Sequence, residues 1–174
     1  NPFHRLVVFA LLFSWIGDVV LQLTQFREVF FMGGLASFLV AQLLYLIAFF
    51  STKGENILAR RVYLVLPVAL YGVFILWLLW GGLEDMKVPV TIYTVVILTM
   101  LVGAINRKGK VNPQSYQLVL LGAILFVVSD SMIAINKFTQ PFELARVAIM
   151  TSYITAQYLI VIGCIRQYGL SLKK

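Results

Sequence analysis

Two aspartates, Asp18 and Asp130, lie inside long apolar stretches of this 174-residue chain. A carboxylate in hydrocarbon costs roughly 2.5–3.5 kcal/mol even on the lenient insertion scales, so it is retained mainly where it faces a cavity or a partner. A polar contact between membrane helices averages well under ~1 kcal/mol, so a purely structural role would offset little of that cost. The two acids are therefore the first candidates for chemistry.

The two carboxyls are predicted to lie at similar depth in a membrane. At the α-helical rise, Asp18 lies about 20 Å beyond Arg5, and Asp130 lies about 24 Å beyond Gln114. Both helices are predicted to start on the same side, so both acids fall in the outer third of a hydrocarbon core about 30 Å thick. We expect them to share one site.

The surroundings of the two aspartates are also similar. In both stretches an aliphatic residue follows three positions after the aspartate, and a phenylalanine follows eight positions after it. Each stretch is then followed by a helix that carries an Ala-Gln pair, at Gln42 and at Gln157. Two helical hairpins of one orientation, each with one aspartate, are typical of a degenerate parallel repeat.

Other polar side chains at membrane depth are candidates to support the site. Ser14 precedes Asp18 by one helical turn and Tyr153 precedes Gln157 by one turn, so each pair shares a helix face. The full set of supporting or substrate-binding candidates is Ser14, Gln42, Tyr45, Tyr71, Tyr93, Ser129, Asn136, Tyr153 and Gln157.

The composition excludes an ordinary soluble globule. Hydrophobic residues make up 61% of the chain and charged residues only 12%, whereas soluble domains carry about a quarter charged residues. One Cys and one His do not supply the three or four ligands of a zinc site, so we expect no metal and no cofactor. The net charge is +7. The basic residues lie between the apolar runs, which indicates membrane topology and not a nucleic-acid partner.

Six apolar segments predict an all-α, polytopic transmembrane bundle that forms a single domain over residues 1–174. Lipid offers no hydrogen-bond partners to the backbone, and a helix satisfies its backbone N–H and C=O groups internally. Segments of this length should therefore be α-helical. The predicted helices cover residues 5–24, 29–50, 61–80, 88–106, 114–136 and 143–166.

The distribution of basic residues predicts the orientation. Of the 14 Lys and Arg residues, only Arg27, Lys87, Lys137 and Arg146 fall on the side opposite the start of the first helix. The positive-inside rule therefore puts both ends of this chain in the cytoplasm.

Several motifs together closely resemble the YhhN / TMEM86 family, which includes the mammalian lysoplasmalogenases. The most specific are S-x-x-G-D, which ends at Asp18, and G-A-x-x-F-x-x-S-D, which ends at Asp130. The resemblance covers nearly the whole chain, through residues 14–21, 34–45, 67–71, 88–93, 122–130, 136–138 and 153–157.

The resemblance implies an integral membrane hydrolase, expected in a bacterial inner membrane, that cleaves the vinyl-ether bond of lysoplasmalogens. Its partners would be the lysophospholipid substrate and membrane lipid. Family members resemble eight-helix proteins, so two helices are expected to be absent from this chain. Gln42 stands where many relatives have His, and an amide can position a group but cannot titrate.

Two carboxyls suit this chemistry independently of the family. A vinyl ether hydrolyses by protonation at carbon, which forms an oxocarbenium-like cation that water then traps. One carboxyl would supply the proton, and an ionised one would stabilise the cation and orient water, as carboxylate pairs do in glycosidases. The sequence does not assign these roles to Asp18 or Asp130.

Other functions also use acids at membrane depth. A proton-coupled transporter of small molecules or lipids would keep the same pair. An intramembrane aspartyl protease would need G-x-G-D and Tyr-Asp elements, which Gly17-Asp18 and Ser129-Asp130 do not reproduce. A receptor or a purely structural bundle is the remaining alternative.

Overall fold

The computed structural model describes residues 2–27 and 29–169, and within them the fold is all-helical. Short 3₁₀ turns at Leu23–Gln25, Val62–Val65 and Glu84–Met86 extend or precede the α-helices. The helices are α1 (Pro2–Gln22), α2 (Val29–Phe50), α3 (Ile57–Arg60), α4 (Leu66–Leu79), α5 (Lys87–Ile105), α6 (Pro113–Phe138) and α7 (Ala145–Gly169).

All of these helices except the short α3 are long and apolar enough to cross a membrane, counting the 3₁₀ turns that adjoin them. The prediction of six spans is therefore confirmed for the described part of the chain. The third span differs in detail, because its α-helix begins only at Leu66 and a 3₁₀ turn precedes it. Pro67 suits this start, since a first-turn residue needs no backbone N–H donor.

The outer surface of the bundle is apolar. Large side chains such as Trp15, Val73 and Trp77 are 63–73% exposed, and they lie within the predicted spans. Soluble proteins rarely expose a continuous apolar surface of this extent. Together with the six apolar helices, this surface identifies a multi-pass integral membrane protein.

Two antiparallel hairpins, α1–α2 and α6–α7, make the most extensive helix contacts. Small residues allow the close approach that membrane helices need in order to pack. A Cβ atom at Gly17 would lie 2.7 Å from the Phe38 ring, and one at Gly122 would lie 2.8 Å from the Ala156 carbonyl oxygen. The aspartates lie on the first helix of each hairpin, and α5 packs against both α2 and α6.

A buried arginine ties together the ends of three helices, namely the C-terminal ends of α5 and α7 and the N-terminal end of α6. The Arg107 guanidinium donates to the Ser115 hydroxyl at 3.2 Å and to Gln167 Oε1 at 2.7 Å. Asn112 caps α6 nearby by accepting a hydrogen bond from the Ser115 N–H at 2.8 Å, and Pro113 fills the first turn. These contacts fix the register of α5, α6 and α7.

Candidate active site

Asp18 and Asp130 line one cavity of about 360 Å³ between α1, α2, α6 and α7. The two aspartates, which the sequence places at similar depth, thus face the same cavity, and their common catalytic site stays a prediction. The residues that line this cavity are Asp18, Leu21, Gln22, Gln25, Phe38, Asp130, Ile133, Arg146, Ile149, Met150 and Tyr153.

Two helices each contribute one continuous face to the cavity. Positions i, i+3, i+4 and i+7 share a helix face, and the lining residues of α1 and α7 follow this pattern. On the α1 side they are Asp18, Leu21, Gln22 and Gln25, and on α7 they are Arg146, Ile149, Met150 and Tyr153. The cavity consequently runs from the carboxyls to the exposed side chains at the end of α1 and the start of α7.

Asp18 accepts the last hydrogen bond in a chain of polar side chains. The Tyr153 hydroxyl donates to Asp18 Oδ2 at 2.9 Å. Gln157 Nε2 donates to the Tyr153 oxygen at 3.3 Å, and the Tyr45 hydroxyl donates to Gln157 Oε1 at 2.6 Å. Each donor in this chain points toward Asp18, so the network holds a carboxylate oxygen as an acceptor and fixes its orientation.

Asp130 is held in a similar way from another helix. The Tyr93 hydroxyl of α5 donates to Asp130 Oδ2. Gln42 is 0% exposed and lies beside the Tyr93 hydroxyl, although its amide is not within hydrogen-bond geometry of any described residue. Ser14 has the corresponding position beside Tyr153. Each aspartate therefore has a tyrosine donor with a glutamine next to it, Gln42 beside Tyr93 and Gln157 beside Tyr153.

A second, apolar cavity of about 70 Å³ begins at Asp130 and lies between α2, α4, α5 and α6. Tyr71 and Ser131 are among its few polar groups, and the Tyr71 hydroxyl donates to the Ser131 hydroxyl at 2.8 Å. The residues that line both cavities are Leu21, Phe38, Asp130 and Ile133. Asp130 thus lies where an apolar compartment meets a more polar one.

Two of the predicted supporting residues are placed away from the carboxyls. The Ser129 hydroxyl is buried and donates to the Ile149 carbonyl at 3.1 Å, which ties α6 to α7. Asn136 Oδ1 accepts from the Phe142 N–H at 3.3 Å and thereby holds the α6–α7 loop. Ser14, Ser129 and Gln157 do not line the cavity, but Ser14 and Gln157 lie next to Tyr153, which does.

Three polar residues of the cavity were not among the sequence candidates. Gln22 and Gln25 follow Asp18 by four and seven positions, and Arg146 precedes Tyr153 by seven. The helical spacing alone could have identified all three, because such positions share a face. Gln22 and Arg146 lie inside the predicted helices 5–24 and 143–166, and Gln25 lies just beyond the first of them.

The described part of the chain contains no group of three His, Cys, Asp or Glu side chains that could hold a metal ion. The chemistry that this arrangement offers is proton transfer and charge stabilisation by two carboxyls beside an apolar compartment. Each carboxyl is half-buried, and its orientation is fixed by a tyrosine hydroxyl from a different helix.

The YhhN family model matches residues 1–164. The chain is 36% identical to lysoplasmalogenase TMEM86B of Sus scrofa, over 87% of this chain and 59% of that protein. It is 31% identical to lysoplasmalogenase TMEM86B of Homo sapiens, over 94% of this chain and 65% of that protein. A lysoplasmalogenase of Mycobacterium tuberculosis is 32% identical, over 92% of this chain and 60% of that protein. The chain therefore spans about three fifths of the length of these curated relatives, and no solved structure matches it significantly.

Proposed function

The chain belongs to the YhhN family, and we propose that it is a membrane-embedded hydrolase that cleaves the vinyl-ether bond of lysoplasmalogens. The products would be a fatty aldehyde and a glycerophospho-alcohol. The observation that supports this most strongly is the pair of carboxyls, Asp18 and Asp130, on one cavity inside the membrane. The relatives described above are lysoplasmalogenases by name, which supports the same reaction.

In the proposed reaction one carboxyl donates its proton to the vinyl carbon that is not bonded to oxygen. The resulting oxocarbenium ion is stabilised by the second, ionised carboxyl. Water adds to the carbon next to oxygen and gives up a proton to a carboxylate. The hemiacetal then collapses to the aldehyde, and its hydroxyl proton passes to the glycerol oxygen, so atoms and charge balance. General acid–base groups of this kind contribute typically 10²–10⁴-fold.

We assign the proton donor to Asp130 and the ionised carboxylate to Asp18. The carbon that must be protonated belongs to the hydrocarbon chain, and Asp130 is the carboxyl that also borders the apolar cavity. Asp18 lies on the face that continues to Gln22 and Gln25, where water enters from the polar end. The first carbons of the substrate's hydrocarbon chain would enter the apolar cavity, whose lining includes Tyr71, Ile75 and Ile97.

The orientation of the protein in the membrane follows from its distribution of basic residues. We propose that both ends of this chain face the cytoplasm, because ten of its 14 Lys and Arg residues lie on that side. Single cysteines introduced by Lys108→Cys and Asp85→Cys would lie at opposite ends of α5, and both positions are exposed. In intact cells an impermeant thiol reagent should label the cysteine at position 85 only. Labelling at position 108 would contradict this orientation.

The function is tested by incubating purified protein with a lysoplasmalogen and measuring fatty aldehyde. Time-dependent release of aldehyde and of glycerophospho-alcohol in equal amounts is the expected result. The same protein reconstituted into liposomes separates hydrolysis from transport. Movement of the lipid across the bilayer without aldehyde release would instead identify a transporter that uses the same two acids.

A further inference from the structure

We propose that Arg146 binds the phosphate of a single-chain phospholipid at the mouth of the large cavity, with Gln22 and Gln25 as additional hydrogen-bond donors. The identity of the lipid as a lysophospholipid rests on the proposed function. This headgroup subsite is separate from the carboxyls and sets the direction in which the lipid enters.

Arg146 is the basic residue on the lining of the large cavity, and its side chain is exposed there. Among the residues that the structure describes, no carboxylate lies within ion-pair distance of it. A guanidinium binds phosphate through several parallel hydrogen bonds, which makes Arg the preferred residue for this task. The charge of Arg146 is thus available to an anionic ligand in the cavity.

The position of Arg146 in its helix adds to this preference. It is the second residue of α7, where the positive end of the helix dipole also favours a negative group. Gln22 and Gln25 face the same cavity from α1, and both are exposed. Their amides supply neutral donors to phosphate oxygens or to the glycerol hydroxyl without adding charge.

The distances along the helices suit a phosphate at this end. Arg146 lies seven residues before Tyr153, which is about 10 Å at the α-helical rise. A phosphate at Arg146 would therefore lie outward of the carboxyls, and the glycerol unit would extend toward them. The hydrocarbon chain would continue past Asp130 into the apolar cavity, because that cavity begins at the same residue. A polar group at one end and an apolar compartment at the other define a single lipid orientation.

The test is equilibrium binding of radiolabelled 1-O-hexadecyl-glycerophosphocholine, a saturated ether that has no vinyl carbon to protonate. The wild type is compared with Arg146→Gln and with Arg27→Gln. Arg27 is a matched control, because it is exposed at the same end of the molecule but does not line the cavity. A second ligand, 1-O-hexadecylglycerol, has the same chain and no phosphate.

We expect Arg146→Gln to weaken binding of the phosphate-containing ether by about tenfold or more, as for loss of a charge-assisted hydrogen bond. Binding of hexadecylglycerol should change by less than about twofold on the same basis, and Arg27→Gln should affect neither ligand. Equal weakening of both ligands, or no weakening of either, would overturn the proposal. The headgroup subsite would stand if binding responds as expected but vinyl-ether lipids release no aldehyde, and then only the proposed hydrolase would fail.

Discussion

Purified Asp18→Asn and Asp130→Asn variants are each expected to release aldehyde at least about a hundredfold more slowly than the wild type. An amide keeps the volume and shape of the carboxyl, but it supplies neither the proton nor the negative charge that the reaction needs. Asp85→Asn is a suitable control, since Asp85 is exposed in the turn before α5. All three variants should elute as folded protein in detergent.

The two variants should differ in how they respond to an added small carboxylate. Formate can occupy the space near position 18 and replace the missing carboxylate beside the cation, so it should restore part of the activity of Asp18→Asn. It should not restore Asp130→Asn, because protonation of carbon would still lack its donor. Near-normal turnover of either variant would refute the paired-carboxylate mechanism, and rescue of Asp130→Asn alone would reverse the assigned roles.

The spans of this bundle could be predicted from the sequence because lipid imposes a simple requirement on it. A helix that crosses the membrane needs about 20 apolar residues, and its ends are set by capping and turn residues such as Asn112 and Pro113. Depth follows directly from the constant rise of a helix. That is why the common cavity of Asp18 and Asp130 could be anticipated before any contact was known.

The sequence does not determine how each helix is rotated about its own axis. Successive residues of a helix point about 100° apart, so Ser129 faces the backbone of α7 although it adjoins Asp130. Asn136 lies on the last turns of α6 and bonds the following loop. In the sequence Arg146 contributes only to the charge difference between the two sides, and the position of α7 in the bundle shows that its side chain lines the cavity.

The partners of the two aspartates also depend on how the hairpins pack. Asp18 lies on the first hairpin, but its tyrosine donor and the adjacent Gln157 lie on the second. Asp130 lies on the second hairpin, and the buried amide beside its donor Tyr93 is Gln42 of the first. Each hairpin therefore places an amide beside the tyrosine donor of the other hairpin's acid. The sequence repeat predicted two similar halves, and the structure shows that each half depends on its counterpart.

Tyr153→Phe is expected to lower kcat by about ten- to a hundredfold while KM changes little, as for the loss of one hydrogen bond to a charged group. The hydroxyl donates to Asp18 and is itself held by Gln157. The ring should keep its edge-on contacts with Phe38 at 5.8 Å and Phe126 at 5.5 Å between centroids. The variant should therefore stay folded, with a detergent melting temperature close to that of the wild type.

A double-mutant cycle distinguishes positioning of Asp18 from a general effect on packing. If Tyr153 acts only through Asp18, adding Tyr153→Phe to Asp18→Asn should cause almost no further loss of activity, because residues that act as a unit are not additive. Tyr158→Phe is the matched control on the same helix, since Tyr158 is 63% exposed on the outer surface and should leave kcat unchanged. Additive losses in the double variant would show that the Tyr153 hydroxyl contributes by a route independent of the carboxylate, and the hydrogen-bonded chain from Tyr45 would then have no catalytic role through Asp18.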